Sequence, residues 1–125
     1  MKILLDTNVV VRILRQYPLP RTVRRILDRP DNQLVVSIVT VWEIATKAQI
    51  GLSASDLEIG IAELYATTLP LSFHHIQEYE KLPMFPQHKD PFDRMLIAQA
   101  LSENLAVLTS DSRFENYRRL RVIWN

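Results

Sequence analysis

Short runs of Val, Ile and Leu alternate along this chain with longer stretches in which apolar residues recur every three or four positions. The short runs predict strands over Lys2–Leu5, Leu34–Ser37, Leu69–Leu71, Leu105–Thr109 and Arg121–Trp124. Several are apolar throughout, as strands covered on both faces are. The longer stretches predict helices over Val9–Gln16, Arg21–Asp28, Val41–Ile50, Ser55–Ala66, His74–Lys81 and Pro91–Glu103. Val23, Ile26 and Leu27 show the spacing of an inward helical face. Alternation of strands with helices predicts an α/β fold built on a parallel sheet.

With 125 residues, 47% of them apolar and 23% charged, the chain has the material for one compact domain over residues 1–125. Pro83 and Pro86 mark a loop before the helix that Pro91 opens, and neither an internal repeat nor a low-complexity linker divides the chain. No apolar run is long enough to span a bilayer, and MKILLDTN lacks the features of a signal peptide, so a cytoplasmic location is expected. The absence of cysteine removes disulfides, thiolate metal sites and cysteine nucleophiles, leaving oxygen and imidazole as metal ligands. With only Gly51 and Gly60, the chain has no Gly-rich loop to wrap a nucleotide phosphate.

Net charge is +1, yet eleven of the fifteen cationic residues are Arg. Arg21, Arg24, Arg25 and Arg29 crowd one segment; Arg113, Arg118, Arg119 and Arg121 crowd another. A guanidinium fork suits phosphate oxygens, and a solvated helix face uses the same residues, so charge alone leaves both readings open.

The acids are placed more tellingly. Asp6 directly follows the first strand, and Asp111 follows the strand ending at Thr109 after one residue. Both therefore lie beyond the carboxyl ends of parallel strands, where open α/β sheets form their ligand crevice. Glu43 falls in the first predicted turn of its helix, and Asp93 in the first turn of the helix opened by Asp90 and Pro91. Four carboxylates from four distant segments can meet at one edge, and they would repel strongly unless a cation neutralised them. Each acid also has a purely structural reading. Asp6 and Asp111 can cap helices, Glu43 can complete a capping box with Thr40, and Asp90 is a better N-cap than Asp93. Capping accounts for each acid separately and does not require them to share an edge.

Four segments give the chain a recognisable character: the opening LLDTNVV, SIVTVWEIATK, the block HKDPFDRMLIAQAL, and LAVLTSD. In this order, over nearly the whole length, they resemble PIN-domain nucleases, especially the toxin subunits of VapBC-type toxin–antitoxin pairs. The resemblance implies a three-layer fold with a mainly parallel five-stranded sheet between helices. It also implies hydrolysis of RNA, and it maps the metal-binding and catalytic acids onto Asp6, Glu43, Asp93 and Asp111, with Asp90 outside the quartet. Mg²⁺ or Mn²⁺ would be the cofactor, with Asp6 and Asp93 as direct ligands and Glu43 and Asp111 binding a second ion, acting through water or positioning the attacking hydroxide. Further implied partners are a second copy of the chain, a cognate antitoxin protein, and promoter DNA reached only through the antitoxin complex. The competing reading is a PIN-like module that binds RNA or protein without cutting it.

Other enzyme classes lack required residues. A haloacid-dehalogenase-type phosphatase would need an acid where Asn8 stands, and a phosphorelay receiver would need a Lys after a late strand, whereas the last Lys is Lys89. Thr7, Asn8, Thr109, Ser110 and Ser112 can orient carboxylates or serve in ordinary turns. Arg94 can bind RNA phosphate or balance the acids, and His88 can contact substrate or stand exposed. His74 and His75 are expected at the surface. Trp42, Phe92 and Phe114 can stack on bases, with core packing as the default.

Overall fold

The computed structural model describes residues 1–124. Five strands, β1 (Lys2–Leu5), β2 (Gln33–Ser37), β3 (Thr67–Leu69), β4 (Ala106–Leu108) and β5 (Arg121–Ile123), form one sheet in the order β3-β2-β1-β4-β5. Every pairing is parallel, so the expected mainly parallel sheet is wholly so. Six helices accompany it: α1 (Thr7–Leu14), α2 (Arg21–Asp28), α3 (Ile38–Thr46), α4 (Ala54–Glu63), α5 (Phe73–Glu80) and α6 (Pro91–Glu103).

Alternation along the strands divides the core. Ile3, Leu5, Val36 and Leu108 pack on one side with Val9, Val10, Val23, Ile44, Leu57 and Ile61 from α1 to α4. Leu4, Val35 and Val107 pack on the other with Leu96, Ile97 and Ala100 of α6. Ile3, Leu4 and Leu5 are all fully buried, which explains the unbroken apolar run of β1; each such side chain contributes roughly 1.5–3 kcal/mol.

Chain order creates a crevice. From β1 the chain moves through β2 to β3 on one side, then crosses to β4 and β5 on the other, so its direction reverses between β1 and β4. A ligand crevice in an open parallel sheet lies beyond the strand ends at such a reversal. Asp6 and Asp111 follow the two strands that flank it, and the Asp6 N–H donates to the Leu108 carbonyl at 3.1 Å.

Element ends follow local chemistry. Ser37 caps α3 by accepting from the Val39 N–H at 3.0 Å, so the helix starts before Val41 and Glu43 lies in its second turn, not the first. At its other end the Thr46 hydroxyl binds the Glu43 carbonyl, and the chain leaves α3 for a short 3-10 turn over Ala48–Ile50. Tyr65 at φ 54° ends the α4 region before Ala66. Pro70 has no N–H for a ladder, and β3 stops at Leu69. Ser72 and His75 form a reciprocal cap on α5, which draws His75 inward to 2% exposure, against the surface position expected for it; His74 is exposed. No helix among the described residues is long and apolar enough to cross a membrane.

Candidate metal centre

Asp6 stands at the N-cap position of α1, but its side chain makes no capping bond. It instead accepts from the Thr109 hydroxyl at 2.8 Å, while the same hydroxyl oxygen receives the Asp111 N–H at 3.0 Å. Thr109 thus ties together the two acids that follow β1 and β4. Of the other candidate donors, Thr7 shares a hydrogen bond with Thr40 at 2.9 Å, and Asn8, Ser110 and Ser112 are exposed.

The Thr40 bond also settles the structural reading of Glu43. Thr40 lies inside α3 and caps nothing, so the proposed capping box does not form. Glu43 is buried on α3 with its Oε2 held by Lys47 one turn later at 2.7 Å. Its Oε1 is buried with no hydrogen-bond partner among the described residues. Such an atom is costly unless something else satisfies it.

Asp90 takes the capping role at α6, its Oδ1 accepting from the N–H groups of Phe92 at 2.8 Å and Asp93 at 3.3 Å. Asp93 is thereby free of that duty and meets His88, whose Nε2 lies 3.2 Å from Asp93 Oδ2. Asp111 accepts from the Arg113 N–H at 3.0 Å and from its guanidinium at 2.7 Å. Arg113 holds the Asp111 carboxyl below its ordinary value.

Electrostatics join these groups. Burial raises Asp6 from 3.8 to about 7, with the charges of Asp93 and Glu43 adding to the effect against the Thr109 hydrogen bond. Burial likewise raises Asp93 to about 7, helped by the charges of Asp90, Glu43 and Asp111. Asp93 lies in the field of acids from three other segments, Asp6, Glu43 and Asp111, and of Asp90 at the cap of its own helix. His88, Asp93 and Asp111 can each present a ligand atom such that all lie within 4.8 Å of one another.

A divalent cation fits this donor set. The acids supply hard carboxylate oxygens, Glu43 Oε1 is an orphan, and Asp6 and Asp93 lack a cationic side chain within pairing distance among the described residues. Hard divalent ions match such oxygens.

Several neighbours differ from their sequence reading. His88 is fully buried instead of exposed, because its ring packs against Phe114 and Tyr117; the turn closed by the His88 N–H on the Phe85 carbonyl at 3.1 Å holds its backbone there. Burial first, and then Arg113, push the His88 pKa down, which favours the neutral ring. Arg94 neither faces solvent nor pairs with an acid among the described residues; it is buried and donates to the Pro83 carbonyl at 2.8 Å and the Tyr117 hydroxyl at 3.2 Å. Trp42 is 60% exposed and not core, with its ring edge-on to Phe92 at 5.0 Å. Phe114 is core as expected. Lys47 and Arg113, the counter-charges of Glu43 and Asp111, carried only an i,i+4 spacing and membership of an Arg-rich segment as signals.

No curated protein matches this chain in sequence. Among solved structures, FitAcB from Neisseria gonorrhoeae is similar with a TM-score of 0.70 at 26% identity, covering 98% of this chain and 96% of that one. DNA-bound VapBC from Salmonella typhimurium gives 0.70 at 21% identity, covering 98% and 97%. VapBC2 from Rickettsia felis, bound to a promoter DNA fragment, gives 0.70 at 17% identity, covering 100% of both chains. The family model for the PIN domain matches residues 3–120, and the chain belongs to the PIN domain family.

Proposed function

We propose that this chain is a divalent-metal-dependent ribonuclease that hydrolyses RNA phosphodiester bonds and acts as the toxin of a type II toxin–antitoxin pair. The observation that carries the reading is that Asp6 and Asp93, both raised to about 7, lie with Glu43 and Asp111 at the sheet's reversal point, while Asp6 caps nothing and Glu43 keeps an unpartnered oxygen. A fold gains no stability from that arrangement. Asp6 and Asp93 would hold Mg²⁺ or Mn²⁺ directly, with Glu43 and Asp111 completing the set or acting through water. A bound ion supplies a water of lowered pKa and stabilises charge on the scissile phosphate. Thr109 orients Asp6, Lys47 orients Glu43, and Arg113 fixes Asp111.

The toxin assignment rests on the family and on the similarity to FitAcB and the VapBC structures. A cognate antitoxin, a second copy of this chain, and promoter DNA contacted through the antitoxin are part of the same reading, as is a cytoplasmic location for an RNA target. Exposed Tyr65, Phe73 and Met84 offer apolar surface to protein partners.

The test is incubation of the purified chain with a mixed RNA panel in Mg²⁺, Mn²⁺ or EDTA, beside Asp6→Ala and Asp93→Asn. Expected is cleavage that requires metal and disappears in both variants. RNA retained without cleavage by folded, metal-loaded protein would replace the nuclease reading with a binding module.

A further inference from the structure

A line of buried groups stands behind Asp93. Arg94 Nη1 donates to Tyr117 Oη at 3.2 Å, Tyr117 Oη lies 3.1 Å from His88 Nδ1, and His88 Nε2 lies 3.2 Å from Asp93 Oδ2. Arg94, Tyr117 and His88 are all buried. Both ends are anchored. Arg94 also donates to the Pro83 carbonyl and lies over the Tyr79 ring at 5.3 Å, and the turn at Pro86 fixes the His88 backbone. The imidazole itself packs between Phe114 and Tyr117, with ring centroids 5.3 and 5.6 Å away.

Donor chemistry gives this line a direction. A guanidinium only donates, so the phenol oxygen accepts from Arg94 and its own proton needs another acceptor. The acceptor facing it is His88 Nδ1. An Nδ1 that accepts carries no hydrogen, so the neutral ring carries its hydrogen on Nε2, which faces Asp93 Oδ2. The opposite tautomer would set two donors on one phenol oxygen, strand the phenol proton in the interior, and turn an imidazole lone pair toward a carboxylate oxygen.

We propose that His88 is a positioning residue for Asp93, locked in the Nε2–H tautomer by Tyr117 and Arg94, and that it is not a ligand of the divalent ion. The inference rests on the reading of the acids as a metal centre and adds a selectivity to it. His88, Asp93 and Asp111 have the spacing of a mixed nitrogen and oxygen site, which suits Zn²⁺ or Ni²⁺. With Nδ1 occupied and Nε2 protonated, the ring has no lone pair to offer. The remaining donors are oxygens, and the site keeps its preference for Mg²⁺ and Mn²⁺. Asp93 in turn has one oxygen held by a neutral donor without losing its charge to a fixed cation.

The decisive variant is Tyr117→Phe, which removes one oxygen and keeps the ring. In metal-free protein labelled with ¹⁵N-histidine, long-range ¹H–¹⁵N spectra report the tautomer of each ring, and loss of a signal in His88→Gln identifies that of His88. The expected result is a single Nε2–H form in the wild type and a mixture in Tyr117→Phe. Mn²⁺ affinity, read by paramagnetic titration, should fall in Tyr117→Phe, by less than the about 10–100-fold usual for losing a ligand's direct partner, because Tyr117 acts on Asp93 through His88. Mn²⁺-loaded wild type should show no ¹⁴N hyperfine coupling from an imidazole. An Nδ1–H signal, a ¹⁴N coupling, or unchanged Mn²⁺ affinity in Tyr117→Phe would overturn the proposal. Wild-type protein that binds no Mn²⁺ would instead overturn the metal-centre reading, and the tautomer spectrum of the metal-free chain would still decide the role of His88.

Discussion

Replacing Asp93 by Asn should stabilise the metal-free protein while removing its metal response. Asp93 is raised from 3.8 to about 7 by burial and by the charges of Asp90, Glu43 and Asp111. The native state therefore binds a proton more tightly than the unfolded chain, and stability falls as pH rises between those two values, opposite to the behaviour of an ion-paired Asp. At 1.36 kcal/mol per pH unit the full interval corresponds to about 4 kcal/mol, which partial contact with solvent reduces to ~2 kcal/mol. Asparagine removes that cost and still accepts from His88, but it loses a favourable helix-dipole contact worth about 0.3–1 kcal/mol in the first turn of α6. The net gain near pH 8 is on the order of 1–2 kcal/mol, or roughly 5 °C in Tm for a domain of this size. Thermal denaturation followed by circular dichroism, in EDTA and in saturating Mg²⁺, from about pH 5 to about pH 8, measures it. Wild type should lose Tm as pH rises in EDTA and recover it with Mg²⁺, whereas Asp93→Asn should lose less in EDTA, keeping only the part that buried Asp6 causes, and recover little with Mg²⁺. Metal-free wild type that grows more stable up to pH 8, or a variant less stable than wild type there, would refute the reasoning.

Thr109→Val removes the donor to Asp6 and the acceptor of the Asp111 N–H, so Mn²⁺ affinity should fall about 10-fold and stability by about 1–2 kcal/mol, read by titration and by urea unfolding. Trp42→Ala should weaken single-stranded RNA binding by about 1–3 kcal/mol in EDTA, with Trp42→Phe retaining most of it, since an exposed indole next to Glu43 suits a nucleobase; anisotropy titration checks this, and unchanged binding would refute a stacking role for Trp42. Mg²⁺ binding near pH 6.5 should release about one proton per ion, because Asp6 and Asp93 are partly protonated there, and release should vanish above about pH 8; calorimetry in buffers of different ionisation enthalpy counts it.

Legibility in the sequence followed how local each cause is. Lys2–Leu5, Arg21–Asp28 and Pro91–Glu103 have their read boundaries because an unbroken apolar run, a clean helical period and an Asp-Pro start are local signals. The start of α3 was missed because Ser37, the last residue of β2, is also its cap, and one residue ending a strand while opening a helix leaves no loop to read. At the site, Asp6, Asp93 and Asp111 have their expected positions after strands and in a helix start, whereas Glu43 was placed a turn too early because the cap of α3 was missed. The counter-charges were not legible, since Lys47 and Arg113 look like any solvated cations until the fold sets them against Glu43 and Asp111. His88 was hidden because its burial depends on Tyr117, Phe114 and Arg94, all distant in sequence or facing another way by simple periodicity.

Compensation of charge across the site is uneven. Asp111 is satisfied by Arg113, Glu43 is half satisfied by Lys47, and Asp90 is used by two backbone N–H groups of α6. Among the described residues the side chains that donate to Asp6 and Asp93 are neutral, Thr109 and His88, and these are the two acids that burial raises to about 7. Lys or Arg placed against either would have relieved the strain, as Arg113 does at Asp111, and would have filled the place proposed for a divalent ion. Neutral donors orient a carboxylate without spending its charge. The deficit therefore falls on the acids beside the β1–β4 reversal, where a parallel sheet leaves its crevice open, and the fold carries a cost there that a proton or an exchangeable cation would remove.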